Sequence, residues 1–238
     1  MAGAALPAEL FSANADFHGD LLRNIPGIRE SQDLFDDLSD DPAERAVAIA
    51  AEGAGRPPGT GTAISRPFDY GTVISYSFDS SNWQQTRFSD GSRFGVWYGA
   101  DTLETAVRES AYHWVHGFLA DAGFDHLPVV GERQVYAVAC RAALLDLRTA
   151  VGAAPRLLHP SDCALPRAVG SRLRREGHPG LLAPSVRHPK GETYAVFNPA
   201  VLSHPRPHTR LTYHLEEGHV AVAKKPGRRW LSIALAGL

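Results

Sequence analysis

Residues 94–113, FGVWYGADTLETAVRESAYH, hold the stretch from which the fold can be read outward. Phe94 to Ala100 is β-branched and aromatic and bounded by glycine, the composition of a strand. At Asp101 the period changes. Asp101 can cap a helix, and Glu104 follows three residues on. Leu103, Ala106, Val107, Ser110, Ala111, Trp114 and Phe118 then recur on one helical face, and Gly123 supplies a stop.

At ~100° per residue, Glu109 falls roughly opposite that apolar stripe. Most helical glutamates of this kind simply face solvent. Its neighbours at helical spacing, however, are Thr105, Tyr112, His113 and His116 rather than Lys, Glu and Arg. A face of that composition suits a pocket wall.

Downstream, residues 133–147 predict a further strand. A helix is expected from a Ser161 cap through Arg175, ended by Gly177. Residues 180–183 and 193–199 predict two strands around a polar loop. LTYHLEE, HVAVAKK and RWLSIAL predict two or three more in the tail. Upstream, residues 71–78, GTVISYSF, alternate as a strand would, and residues 8–24 and 30–52 read as helical. Between them GAGRPPGTGT (53–62) breaks any regular element. Its two prolines remove amides that could cradle phosphate, and no Gly-Lys-Ser/Thr follows, so it is expected to be a loop. Several strands are close enough in sequence to pair antiparallel, which favours an α+β fold over a doubly wound parallel sheet. The expected division is a helical, acidic N-terminal segment, 1–55, and a larger domain, 56–238.

At 238 residues with 44% hydrophobic and 21% charged content, the chain can bury a core without disulfides. Cys140 and Cys163, 23 apart and outside any CxxC, are expected to be small core residues. No apolar run approaches a membrane span and no signal peptide is evident, so a cytoplasmic location is expected. A formal net charge of −2 argues against direct nucleic-acid binding. The charge is uneven: residues 1–50 carry ten acids and three bases, residues 203–238 six bases and two acids. Each run is either a solvated surface or a partner-facing one.

His113 and His116 could share a metal, but there is no HExxH and no third ligand at a convincing spacing, so no metal is expected. No GxSxG elbow surrounds Ser185, which leaves it as a turn serine or a ligand-binding hydroxyl. Arg66, Arg87 and Arg187 are surface residues or phosphate ligands.

Taken together, TRFSDGSRFGVWYGADTLETAVRESAYH and the later LLAPSVRHPKGETYAVFNP resemble the RES domain family, named for an arginine, a glutamate and a serine. These match Arg87, Glu109 and Ser185, and the family's strand-end tyrosine matches Tyr98. The spacing of eleven between Arg87, Tyr98 and Glu109 fits, as does YGADTLETAVRE, and so does Arg187 before a strand ending in Asn198-Pro199. The likeness covers roughly residues 63–205. It departs where many members have Gly-Gly-Arg-Trp-Asn: this chain has QTRFSDG, with Ser89 in place of the amide.

The resemblance implies an ADP-ribosyltransferase-like mixed or antiparallel sheet core with flanking helices. It implies a bacterial toxin that degrades NAD as substrate, by phosphorolysis or hydrolysis, with an Xre-like helix-turn-helix antitoxin as partner. Under it, Glu109 would stabilise an oxocarbenium-like centre. Arg87 and Arg66 would hold the pyrophosphate and Tyr98 would stack on nicotinamide. Ser185 would bond a ribose hydroxyl or orient Glu109, and Arg187 would take inorganic phosphate. No bound cofactor is then needed. Two other functions compete: transfer of ADP-ribose to a protein, and a non-enzymatic protein-binding module. The oligomeric state is left open.

Overall fold

A computed structural model of the chain describes residues 6–27, 43–44, 47, 72–126, 128–225 and 227–238. Residues 28–69 group as a unit of their own, in which the described residues 43, 44 and 47 are helical. Arg66, the 53–62 loop and most of the expected 30–52 helix lie outside the described residues. Residues 1–27 group with 70–238.

That larger unit is a mixed α+β structure. Its strands are β1 (Asn14–Pro26), β2 (Trp97–Ala100), β3 (Val129–Asp146), β4 (Gly180–Pro184), β5 (Glu192–Val196), β6 (Leu202–Glu216), β7 (His219–Lys225) and β8 (Arg228–Ala234). The order is β1-β2-β5-β4-β3-β6-β7-β8, with β1 also paired to β3, so the first five strands in that order close a ring. Only β3–β4 is parallel among these pairings. Two helices flank the sheet, α1 (Leu103–His113) and α2 (Ala164–Arg175).

Three apolar clusters hold these layers together. Val107, Ala111 and Trp114 of the α1 region pack on Val135, Leu211, Tyr213, Val220 and Val222. Val169 and Leu173 of α2 pack with Phe88, Phe94, Leu145, Leu181 and Phe197. Leu21, Trp97, Val138, Leu144, Tyr194 and Val196 form the third. Each Val, Leu or Phe side chain among them contributes about 1.5–3 kcal/mol when fully buried. Among the described residues no helix is long and apolar enough to cross a membrane.

The expected strands at 94–100, 133–147, 180–183, 193–199 and in the tail are present, as are the α1 helix and its Gly123 stop. Gly123 and Gly177 both take positive φ, 73° and 80°. Five local expectations are corrected. Residues 8–24 are not a helix: a short 3₁₀ turn, Ala8–Phe11, precedes β1. Pairing with β3 over thirteen registered positions satisfies the β1 backbone and overrides local helix propensity. Of the strand expected at 71–78, the described residues form helical turns instead, Thr72–Ser75 and Tyr76–Phe78. There the Val73 carbonyl accepts from Trp97 Nε1 at 2.9 Å rather than from a neighbouring strand.

Thr102, not Asp101, caps α1, its hydroxyl accepting from the Thr105 amide; the Asp101 carboxylate instead accepts from the Glu192 amide at 3.0 Å. Cys163, not Ser161, precedes α2, without a side-chain cap. Phe118 leaves the apolar face and is 68% exposed. Residues Trp114–Leu119 wind as a π-helix, whose wider turn shifts the phase of the stripe beyond Trp114.

Candidate active site

The site forms where the loop after β4 meets α1. Ser185 follows β4 directly, and its amide donates to the Gly191 carbonyl at 2.8 Å, closing the loop that returns into β5. Inside it, the Ser185 hydroxyl oxygen accepts from the amides of Arg187 (3.2 Å) and His188 (2.9 Å). A hydroxyl has two acceptor sites and one proton. With both acceptor sites taken, the proton has one direction left: Ser185 Oγ donates to Glu109 Oε1 at 2.5 Å. Ser185 is 3% exposed, so water does not compete for that bond.

A second contact fastens α1 to the same loop. Thr105 Oγ1 lies 2.9 Å from His188 Nδ1 and 2.6 Å from Thr102 Oγ1. Gly191 is required here, since a Cβ on it would fall 2.1 Å from Thr105 Oγ1. Glu109 projects one turn further along the helix. Its position is therefore fixed by the Ser185 bond and by the seating of its helix.

Two arginines face the same place, both held by the loop before α2. Arg87 donates from Nη1 to the Leu157 carbonyl and from Nη2 to the His159 carbonyl, both at 3.1 Å. Arg187 donates from Nη2 to the Pro160 carbonyl at 2.8 Å and from Nη1 to the Leu238 carbonyl at 3.2 Å. The Arg187 guanidinium also lies 3.4 Å from the centre of the Tyr112 ring. His113 and His116 flank that ring at 5.3 and 5.1 Å.

Tyr98 stabilises the Arg87 segment. Its hydroxyl donates to Thr86 Oγ1 at 2.9 Å and accepts from the Phe88 amide at 3.1 Å. Burial pushes its pKa up to about 12, so it stays a neutral phenol. Arg167 Nε grips the Thr86 carbonyl from α2 at 2.9 Å. Ser89 is fully buried and closes the turn by donating to the Phe94 carbonyl at 2.8 Å.

The electrostatics are coupled. Burial lowers the Arg187 pKa; Tyr112 and Glu109 oppose that, and Arg87 adds to it. Packing around its ring lowers the His113 pKa, Glu109 opposes, and Arg187, Arg87 and Arg133 add to the lowering. One carboxylate among several guanidiniums suits a substrate carrying both phosphate and a developing positive charge. Among the described residues no three His, Cys, Asp or Glu side chains gather around one metal position.

Of the residues expected from sequence, Arg87, Glu109, Ser185 and Arg187 converge, Tyr98 stands behind Arg87, and Arg66 lies outside the described residues. The Thr105–His188 contact and the Leu157, His159 and Pro160 carbonyls were not anticipated. Backbone carbonyls leave no mark in a sequence. The small Gly191 between Lys190 and Glu192 was the one local hint of the tight contact.

A comparison with curated proteins returns no match. Among solved structures the chain is similar to the crystal structure of the M. tuberculosis MbcT–MbcA toxin–antitoxin complex. The identity is 12% and the TM-score 0.47, over 87% of this chain and 93% of that one. The RES domain family model matches residues 61–216, a span that contains the Ser185–Glu109 pair and both flanking arginines, and the chain belongs to the RES domain family.

Proposed function

We propose that this protein cleaves the nicotinamide–ribose bond of NAD, with inorganic phosphate as the acceptor. The observation that carries this is the Ser185–Glu109 hydrogen bond of 2.5 Å. It aims one carboxylate oxygen and leaves the other free to face a sugar. As the C1″–N bond breaks, its electron pair goes to the pyridinium nitrogen and neutral nicotinamide leaves. Positive charge then develops on C1″ and the ring oxygen, where a fixed carboxylate stabilises it. A phosphate oxygen forms the new bond to C1″, giving ADP-ribose-1″-phosphate; attack by water would give ADP-ribose.

Arg87 and Arg187 would hold phosphate groups, since guanidinium matches phosphate bidentately. Tyr98 would offer a ring face to nicotinamide. Family membership supports the wider reading, in which NAD loss makes the chain a toxin and an Xre-like helix-turn-helix antitoxin its partner.

The test is NAD consumption by the purified chain with and without phosphate, with the products identified. Nicotinamide plus ADP-ribose-1″-phosphate, lost in Glu109→Gln and Arg87→Ala, supports the proposal. Intact NAD under every condition overturns it. ADP-ribose appearing on protein instead of phosphate would move the acceptor to a side chain.

A further inference from the structure

Gly131, Arg133 and Val135 alternate along β3 on the side covered by the α1 region. A Cβ on Gly131 would come 2.9 Å from the Trp114 ring, and Val135 belongs to the apolar cluster beneath α1. Arg133, between them, is 8% exposed. Its guanidinium lies 5.5 Å from the centre of the Tyr213 ring. The Tyr213 hydroxyl is engaged elsewhere, with Ser110 Oγ and Asn24 Nδ2, both at 2.8 Å.

Arg87 and Arg187 are each capped by two carbonyls. Among the described residues, no carboxylate or carbonyl accepts from the Arg133 guanidinium. The described side-chain atoms that are sealed from solvent without a partner are Arg23 Nε and Asn24 Oδ1. The Arg133 nitrogens are not among them, so its stem is buried and its head still reaches solvent. That head adds to the positive field at His113, one turn beyond Glu109 on α1.

A ring face does not replace the hydrogen bonds that a guanidinium makes in water. A largely buried cation without a counter-charge disfavours the folded state. Such groups concentrate at functional sites, where a ligand supplies the missing charge. The planar fork of arginine fits a phosphate oxyanion.

We propose that Arg133 is a binding residue for a phosphate oxyanion on the His113 side of α1, taken from inorganic phosphate or from the pyrophosphate of a dinucleotide. The choice of phosphate among anions rests on the NAD-cleavage reading; the demand for an anion does not.

The test is calorimetric titration of the full chain with inorganic phosphate and, separately, with ADP, alongside thermal melts. Wild type is compared with Arg133→Met and Arg133→Lys. Arg133→Met should weaken binding of one probe at least tenfold, with Arg133→Lys intermediate. Without ligand, Arg133→Met should melt at the same or a higher temperature, because an uncompensated charge has been replaced by an apolar chain. Loss of phosphate binding alone assigns the co-substrate; loss of ADP binding assigns the dinucleotide. The proposal is overturned if wild type binds neither probe, or if Arg133→Met binds both as wild type does. A lower melting temperature with unchanged binding would make Arg133 a purely structural partner of Tyr213. Neither probe has a nicotinamide bond to break, so these outcomes are independent of whether NAD is cleaved.

Discussion

Ser185 Oγ donates to Glu109 Oε1 across 76 residues of chain at 2.5 Å, while two backbone amides fill the serine's acceptor sites. The serine thus acts on the carboxylate's direction. In Ser185→Ala the two amides lose their partner in a site that was 3% exposed, and Glu109 loses its restraint. The expected cost is about 1–3 kcal/mol in stability. Turnover should fall ~10- to 100-fold with a smaller change in KM. Denaturant unfolding and steady-state NAD kinetics on the same preparation check both.

Glu109→Gln should separate fold from chemistry. The amide oxygen can still accept from Ser185, so the unfolding midpoint should stay close to wild type. The negative charge is gone, and the rate should fall ~10²- to 10³-fold, the scale on which single electrostatic groups act in transition states. A drop in stability as large as that of Ser185→Ala would contradict this assignment.

Tyr98→Phe removes the bonds to Thr86 Oγ1 and the Phe88 amide that frame Arg87. Loss of these two bonds should cost about 1–2 kcal/mol and raise KM more than it lowers kcat. Because the phenol titrates only near 12, it stays neutral through the working range. The shape of the pH–rate profile between pH 5 and 10 should therefore be unchanged. A new ionisation in that profile would count against a positioning role.

Asp146 gives the acid limit of the fold. Its carboxylate accepts from Arg148 Nε at 3.0 Å and Nη2 at 2.7 Å, and from the Arg148 amide at 2.9 Å. The Arg148 side-chain bonds lower its pKa most, burial works the other way, and the amide bond and the Arg148 charge add to the lowering. A carboxylate with a lowered folded-state pKa stabilises the fold above its unfolded value, ~3.9, and that contribution is lost as pH falls through the folded value. Asp146→Asn should cost about 1–2 kcal/mol at pH 7, a figure reduced for the partly exposed Arg148. It should also flatten the stability curve below pH 4. Urea midpoints from pH 7 to pH 2.5 measure both.

Much of the fold was legible locally. The strand from Phe94 to Ala100 changes period at Asp101, and Gly123 and Gly177 stop their helices with the positive φ that glycine accepts without strain. The β1 signal was also present and was missed. Asn14, Asp16, His18 and Asp20 face out while Ala15, Phe17, Gly19 and Leu21 face in, a period of two. Residues 71–78 alternate just as well, yet among the described residues no strand pairs with 72–78, and periodicity cannot report a missing partner.

The sequence by itself determined which side chains carry charge and chemistry, and that Glu109 stands off the apolar face of its helix, because helical period and residue type are local properties. Only the tertiary structure decided what those groups meet. Ser185 and Glu109 lie on different elements, and the carbonyls of Leu157, His159 and Pro160 become ligands for two distant arginines because the chain brings them there. Arg133 lies in an ordinary strand sequence. It becomes a cation short of a partner only when α1 and β6 close around it, since burial is a property of what packs against a residue.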